Sequence, residues 1–362
     1  MAVATREEEV RAWLALTLVP GVSLRTQHAL LKALGSPLAV AAAPFSQLAQ
    51  VAGPEAAGAL KRGPRPGLLE GTMKWLEGPD RHLVAVGDDR YPQALLHIGD
   101  PPHVLYVQGR TELLNAPSLA IVGSRNATPH GAQDAQELAR ALSDAGLAIV
   151  SGLALGIDAA AHRGGLAGAS SSLAIMGTGP NVLYPRRNQP LARELAQRGC
   201  LVSEFPLDTP AAAGNFPRRN RLISGISRGV LVVEAALKSG SLITAQCALD
   251  QGRDVFAVPG SVHSPLSKGS HSLIKGGAVL VEGVDDVLRE LDMAPTGQTQ
   301  AACTRGGDLV LDALGFAPAS LDELAMRTQL GAATLAARLT RLELEGSVDS
   351  LPGGRFQRAR EH

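Results

Sequence analysis

The spacing of apolar positions divides the chain into three stretches. Over residues 5–60, Val10, Trp13, Leu14 and Leu18 recur at three- and four-residue intervals. Pro20-Gly21 then interrupts, and Leu24, His28, Leu31 and Leu34 rebuild a stripe that stops at Gly35-Ser36-Pro37. This is the period of short amphipathic helices broken by turn residues. A helix, Pro-Gly turn, helix unit either packs as a plain structural module or grips a DNA backbone through its turn amides. The turn Val19-Pro-Gly-Val-Ser23 has one glycine where the DNA-gripping hairpin prefers two. The Pro/Gly-rich stretch 61–67 reads as a linker, so residues 1–80 are expected to form a small helical, helix-hairpin-helix-like domain.

From about residue 82 the period changes. Short β-rich runs recur at 83–86, 119–122, 148–150, 173–176, 201–202, 230–233, 255–258 and 279–281. Helical stretches lie between several of them, as in Ala132, Ala135, Leu138, Ala139 and Leu142. Strands alternating with helices predict βαβ units, and continuous apolar runs predict strands buried on both faces. Residues 81–290 are therefore expected to be a doubly wound α/β domain with a parallel sheet. The apolar residues around 273–281 fit either a dimer face or a buried edge strand. Residues 291–307 are polar and rich in Gly, Thr and Gln, a linker. In 308–362 the pattern is helix, helix, helix, hairpin, with Ser320-Leu-Asp-Glu323 as a capping box and Ala332 to Glu345 in the recognition-helix position. That outline is a winged helix-turn-helix.

Composition adds constraints. The 362 residues carry 34 Lys+Arg against 34 Asp+Glu, so no global basic field points to nucleic acid. Aromatic residues are 3%, too few for a surface built mainly on ring stacking. Cys200, Cys247 and Cys303 are far apart and form neither a disulfide framework nor a Cys-x-x-Cys metal site. The amino terminus is acidic and amphipathic, unlike a signal peptide, and no apolar run approaches the ~20 residues of a membrane helix. The expectation is a soluble protein of a reducing compartment, the cytoplasm, with no membrane association.

In a parallel sheet, ligands bind at the carboxyl ends of strands. Here those ends carry small and polar residues: Gly123-Ser-Arg, Ser151-Gly, Gly177-Thr-Gly, Ser203-Glu, Lys238-Ser-Gly-Ser241 and Pro259-Gly-Ser261. Glycines let backbone amides approach a phosphate, and serines add donors. Gly177-x-Gly179 lacks the third glycine of the dinucleotide fingerprint, and Lys238-Ser-Gly-Ser does not have the P-loop order. No cofactor and no metal are expected. Asp158 and His162, at i and i+4, read as a capping or structural pair rather than a catalytic one.

Charge is balanced globally but not locally. Residues 181–228 contain Arg186, Arg187, Arg193, Arg198, Arg218, Arg219, Arg221 and Arg228 against Glu194, Glu204 and Asp208, eight minus three, a surplus of five. These residues flank loops already shaped for phosphate, where arginine forks bind anions and Asn188 or Asn220 can bond base edges or hold the loop.

At these loops the sequence resembles a known family. Ile121-Val-Gly-Ser-Arg125, Ile149-Val-Ser-Gly-Leu-Ala-Leu-Gly-Ile-Asp158, Asn181-Val-Leu-Tyr-Pro185, Phe216-Pro-Arg-Arg-Asn-Arg-Leu-Ile-Ser224 and the segment from Val232 to Ala245 are similar to the DNA-processing protein A (DprA/Smf) family, with Phe256-Ala-Val-Pro-Gly260 following in order. The resemblance is dense over 115–282. It implies an extended Rossmann-like sheet, a SAM-like helical amino-terminal domain and a carboxyl-terminal winged helix. It also implies a non-enzymatic mediator of natural transformation and recombination that binds and protects incoming single-stranded DNA, forms a homodimer through the Rossmann-like domain and loads RecA recombinase. The DNA pocket carried over comprises Gly123, Ser124, Arg125, Ser151, Gly152, Asn188, Asn220, Arg221, Lys238, Ser239, Gly240 and Ser241, with Arg186, Arg187 and Arg219 added for their charge. Some family members carry a lysine just after the Tyr-Pro-x-x-Asn loop, where this chain has Pro190. The rival class is a nucleotide-derivative hydrolase with a lysine-decarboxylase-like Rossmann core, whose Pro-Gly-Gly-x-Gly-Thr-x-x-Glu stretch is replaced here by Glu234-Ala-Ala-Leu-Lys-Ser-Gly-Ser.

Overall fold

The computed structural model describes residues 5–294, 309–314 and 318–359. The chain divides into two compact units, Met1–Thr296 and Gly297–His362. Of the expected linker 291–307, residues 291–294 are described and still belong to the first unit's core, with Leu291 buried; the rest lies outside the described residues.

The first unit opens with five helices, α1 (Arg6–Thr17), α2 (Leu24–Leu34), α3 (Pro37–Ala42), α4 (Phe45–Arg62, kinked at Gly53) and α5 (Leu68–Leu76). Their starts follow the residue types: Thr5 and Glu8 form a capping box on α1, and Ser23 and Ser36 cap α2 and α3. The stretch read as a linker ends α4 and turns directly into α5. Leu14, Leu18 and Trp75 from α1 and α5 pack on Leu83, Ala85, Val104 and Tyr106 of the sheet, so helices and sheet share one apolar layer.

The sheet has nine strands: β1 (Arg81–Ala85), β2 (Val104–Gly109), β3 (Ser118–Gly123), β4 (Ala148–Ser151), β5 (Ser172–Ile175), β6 (Cys200–Ser203), β7 (Gly229–Val233), β8 (Asp254–Ala257) and β9 (Val279–Leu280). Their spatial order is β1-β2-β6-β5-β4-β3-β7-β8-β9. Seven strands, β3 to β9, are parallel, as the alternating pattern requires. The sheet is nevertheless mixed: β2 runs antiparallel to β6 and to β1. Sequence reading missed β2, whose short run Val104-Leu-Tyr-Val lies between Pro-rich and Gly-containing turns and has no helix of its own. The residues read as an ambiguous dimer face contain edge strand β9, with Leu280 exposed and Val281 buried.

Helices α6 (Pro129–Asp144), α7 (Ile157–Ala167), α8 (Gln189–Arg198), α9 (Asn215–Ile226), α10 (Gly240–Asp250), α11 (Lys268–Lys275) and α12 (Val284–Glu290) complete the unit. Side chains on β3 and β7 alternate between two cores. Ala120, Val122, Val230 and Val232 face Leu222, Ile223, Ala245 and Ala248 of α9 and α10, whereas Leu119, Ile121, Leu231 and Val233 face Ala135, Ala139 and Ile157 of α6 and α7. Burial on both faces explains the apolar strand runs. No helix among the described residues is long and apolar enough to cross a membrane.

The second unit contains α13 (Leu309–Leu314), β10 (Ala319–Ser320), α14 (Leu321–Thr328), α15 (Ala332–Leu344), β11 (Val348–Leu351) and β12 (Arg355–Arg358). Its sheet order is β10-β12-β11, and Leu324, Leu335, Leu339, Leu342 and Val348 form its core. This is a winged helix. Ser320 and Glu323 exchange the reciprocal bonds of a capping box, at 2.8 and 3.2 Å.

One buried titratable group joins the helical layer to the sheet. His103 lies 3.1 Å from the Gln27 side-chain oxygen and is stacked between Trp13 and His28, and burial pushes its pKa down to about 4. Its folded pKa is below the ordinary value near 6.5, so the unfolded chain takes up the proton first and stability falls as pH drops through that window. Between pH 7 and pH 5 the loss attributable to His103 is about 2 kcal/mol. Denaturant unfolding of His103→Gln at both pH values should show a loss smaller than wild type by that amount; equal losses would refute the assignment.

Candidate functional site

Strand order reverses at β3: β4, β5 and β6 lie to one side of it, β7, β8 and β9 to the other. In open α/β sheets such a switch point leaves a crevice beyond the carboxyl ends of the strands. Two glycines make the close approach here obligatory. A Cβ on Gly123 would lie 1.9 Å from the Val233 carbonyl oxygen, and one on Gly156, at φ +73°, would lie 2.2 Å from the Ser124 oxygen.

Beyond these ends lies a groove of about 750 Å³. The loop after β3 contributes Gly123, Ser124, Arg125 and Asn126; the start of α9 contributes Phe216, Arg219 and Asn220; the approach to α10 contributes Lys238, Ser239, Gly240 and Ser241. Tyr184 lies across from Phe216 with ring centroids 5.8 Å apart, and the Arg125 guanidinium lies over the Phe216 ring at 5.6 Å. Arg125 and Lys238 are exposed, and among the described residues neither makes an ion pair. Ser239 caps α10, whose first turn carries no acidic residue, so its unbonded amides and helix dipole add to the positive wall.

The floor is a buried guanidinium with a buried carboxylate near it. Arg219 is 4% exposed and donates to the carbonyls of Gly152, at 2.7 Å, and Ile175. These carbonyls stand at the ends of β4 and β5, so one guanidinium ties the two strand ends together. Gly152 is required, since a Cβ there would sit 2.6 Å from that guanidinium. Asp158, buried at the edge of the groove, accepts from the amides of Gly152 and Ala154 at 3.1 and 3.3 Å. Burial pushes the Asp158 carboxyl up, with Arg219 opposing, and pushes Arg219 down to about 10, with Asp158 opposing. His162 accepts from the Leu153 amide at 3.3 Å and contacts Ser172 at 2.8 Å; burial lowers its pKa to about 3, leaving a neutral ring. Asp158 and His162 thus hold the loop after β4, as their spacing implied.

Of the fifteen residues read from sequence, the groove gathers Gly123, Ser124, Arg125, Arg219, Asn220, Lys238, Ser239, Gly240 and Ser241. The other six do not line it. Ser151 is buried and donates to the Ile121 carbonyl at 2.6 Å. Gly152 lies beneath Arg219. Asn188 is buried, and its amide donates to the carbonyls of Leu153 and Ala154, both at 2.9 Å. Arg221 points away, paired with Glu204 at 2.7 Å and Asp100 at 3.0 Å. Arg186 and Arg187 are exposed on the turn before α8, apart from the lining. The local surplus of five charges is likewise reduced: Arg198, Arg218 and Arg221 are ion-paired, Arg219 is buried, and Arg228 donates to the Leu291 carbonyl.

Sequence reading passed over Tyr184 and Phe216. Both stand inside the family motifs, Tyr184 in 181–185 and Phe216 in 216–224, where an aromatic content of 3% gave them no weight. Among the described residues no group of three or more His, Cys, Asp or Glu side chains is placed to hold a metal ion.

Comparisons with known proteins agree with this architecture. A model described as DNA recombination-mediator protein A matches residues 82–292, and one described as DprA winged helix domain matches residues 284–354. The chain is 42% identical to protein Smf of Escherichia coli over 305 residues, covering 80% of this chain and 82% of that protein. It is 43% identical over 205 residues to DNA processing protein DprA of Streptococcus pneumoniae, covering 57% of this chain and 72% of that protein. The X-ray structure of DNA processing protein A from S. pneumoniae superposes with a TM-score of 0.69 at 33% identity, over 80% of this chain and 99% of that one. A structure of the Helicobacter pylori protein, described for its single-stranded DNA binding mode, has a TM-score of 0.54 at 32% identity, over 59% and 98%.

The floor and the rim should respond differently to substitution. Arg219→Ala strips the donor from two strand-end carbonyls and should cost about 1–3 kcal/mol for each in denaturant unfolding. Arg125→Ala, on an exposed loop, should stay within about 0.5 kcal/mol of wild type. Equal costs would refute this division.

Proposed function

The chain belongs to the DNA recombination-mediator protein A (DprA/Smf) family, and on that premise we propose that it binds single-stranded DNA in the groove at the switch point and delivers the strand to RecA recombinase in natural transformation and recombination. The observation that carries this reading is the convergence of Arg125 and Lys238, two exposed cations without an ion pair among the described residues, with the N-terminus of α10 and the Phe216 and Tyr184 rings. The cations and the helix terminus take phosphates; the rings take a base face. A single strand supplies both groups along a backbone that can bend into the groove, whereas a stiff duplex keeps its bases stacked inside.

Action by binding rather than by chemistry fits the nearby carboxylates. Asp158 borders the groove but is committed to two backbone amides, and Glu234, outside the lining, is bonded to Thr128, so both carboxylates already serve the backbone. We place the protein in the cytoplasm, with DNA and recombinase. Nor does the winged helix look built for duplex reading. Helix α15 and the residue after it carry Arg338 and Arg341 against Glu343 and Glu345, and Arg341 pairs with Glu345 at 3.4 Å. A duplex-reading helix is ordinarily basic, so we assign this unit an accessory, interaction role.

We assign the proposed homodimer interface of the Rossmann-like domain to edge strand β9 and its surroundings. Leu280 is exposed there, and Leu237 and Val262, lining the same shallow hollow, are 64% and 63% exposed. Val262→Glu combined with Leu280→Glu should convert a dimer to a monomer in light scattering; an unchanged mass would move the interface elsewhere.

DNA binding is tested by oligo-dT titration and gel shifts with single-stranded and duplex oligonucleotides, repeated with RecA added. Affinity should fall with salt at about −0.7 per phosphate neutralised. Arg125→Glu should abolish binding with the fold intact. Phe216→Ala should cost about 1–3 kcal/mol. Salt-independent affinity, or wild-type binding by Arg125→Glu, would overturn the proposal. Failure of DNA-bound protein to accelerate RecA loading would remove the handover alone.

A further inference from the structure

The loop that carries Arg125 is clipped at both ends by one residue that lies outside the groove lining. Glu234 follows β7 and adopts φ +51°, the left-handed region, unusual for a residue with a side chain. Its backbone carbonyl accepts the Ser124 amide at 2.7 Å, continuing the β3–β7 ladder one step past Gly123 and Val233. Its carboxylate accepts the Thr128 amide at 2.8 Å and the Thr128 hydroxyl at 2.5 Å. Thr128 is the N-cap of α6, and its Oγ1 in turn accepts the Gly131 amide at 3.0 Å. Gly131 makes room for this arrangement, because a Cβ there would lie 2.3 Å from the Glu234 carboxyl carbon.

We infer that Glu234 is a positioning residue for DNA binding, holding the segment 124–128 so that Arg125 is presented to phosphate. The inference rests on the groove reading above. The left-handed backbone turns the main chain toward Ser124 while the side chain reaches Thr128, so a single residue fixes both ends of the loop. Among the described residues Arg125 makes no ion pair with this carboxylate, so Glu234 sets the position of the cation without neutralising it. Loss of the clip leaves Arg125 tethered at Ser124 but free to swing, and the lost order must then be restored on binding.

The test measures oligo-dT affinity and its salt slope for Arg125→Ala, Glu234→Ala, Glu234→Gln, Thr128→Val and the Arg125→Ala/Glu234→Ala double variant, with thermal melts on each. Arg125→Ala should weaken binding about tenfold or more and flatten the slope by about 0.7. Glu234→Ala and Thr128→Val should weaken binding and flatten the slope in the same direction, and the double variant should be no worse than Arg125→Ala. Glu234→Gln should bind like wild type, since its oxygen still accepts the Thr128 amide and its NH₂ can donate to the Thr128 hydroxyl. A purely structural role would lower the melting temperature while leaving the slope unchanged, or would add fully to Arg125→Ala; either outcome overturns the inference, as does a Gln variant as weak as Ala. If Glu234→Ala does not fold, Thr128→Val and Glu234→Gln decide. A wild-type slope in Arg125→Ala would instead sink the groove reading, and this inference with it.

Discussion

The groove depends on a cation that no ligand need touch. Arg219 sits beneath the surface, bonded to carbonyls at the ends of β4 and β5 and facing buried Asp158. Parallel strands present their carbonyls together at one edge of the sheet, and without a donor those groups would be left partly unsatisfied in a dry interior. A guanidinium meets the need because its donors form a rigid planar fork. Asp158 balances its charge and also holds the turn between β4 and α7. Arg125, Lys238 and the rings above stand on this floor, so the rim can be polar and exposed while its base is buried.

Much of the architecture was legible in the sequence because buried parallel strands leave uninterrupted apolar runs. Seven parallel strands and the winged helix followed from such runs and from turn residues. Strand β2 did not, because it enters the sheet antiparallel and without a helix, so the strand–helix alternation used to find the others passes over it. The site was legible in its loops but not in its side-chain directions. Asn188, Arg219 and Arg221 look alike in sequence as polar groups in phosphate-shaped loops. Asn188 instead bonds the backbone after β4, Arg219 forms the floor and Arg221 is turned to Glu204 on the opposite side of α9. Neighbouring positions on a helix point about 100° apart, so one motif can serve two faces, and which residue serves which depends on where the carboxylates fold.

Charge arithmetic misled for a related reason. Net zero over the chain concealed a local surplus, and the surplus itself then shrank when partners were located. What remains at the groove is a helix terminus and two cations, Arg125 and Lys238, without an ion pair among the described residues. Aromatic content misled in the opposite sense: eleven rings in 362 residues is few, yet two of them stand at the mouth of the groove. Composition measures supply, whereas a site depends on placement.

The contact between Arg125 and the Phe216 ring has a consequence for how tightly a strand can be held. The guanidinium rests on the same aromatic surface that a base would cover, so a nucleotide entering the groove replaces an existing attraction. In the proposed binding mode Arg125 would leave the ring for a phosphate while the base takes the ring, an exchange of partners whose net gain is smaller than either new contact alone. Each nucleotide unit is then held modestly, and firm retention must come from chain length, with several units engaged at once. Such a grip would release stepwise from one end, in keeping with the proposed handover of the strand.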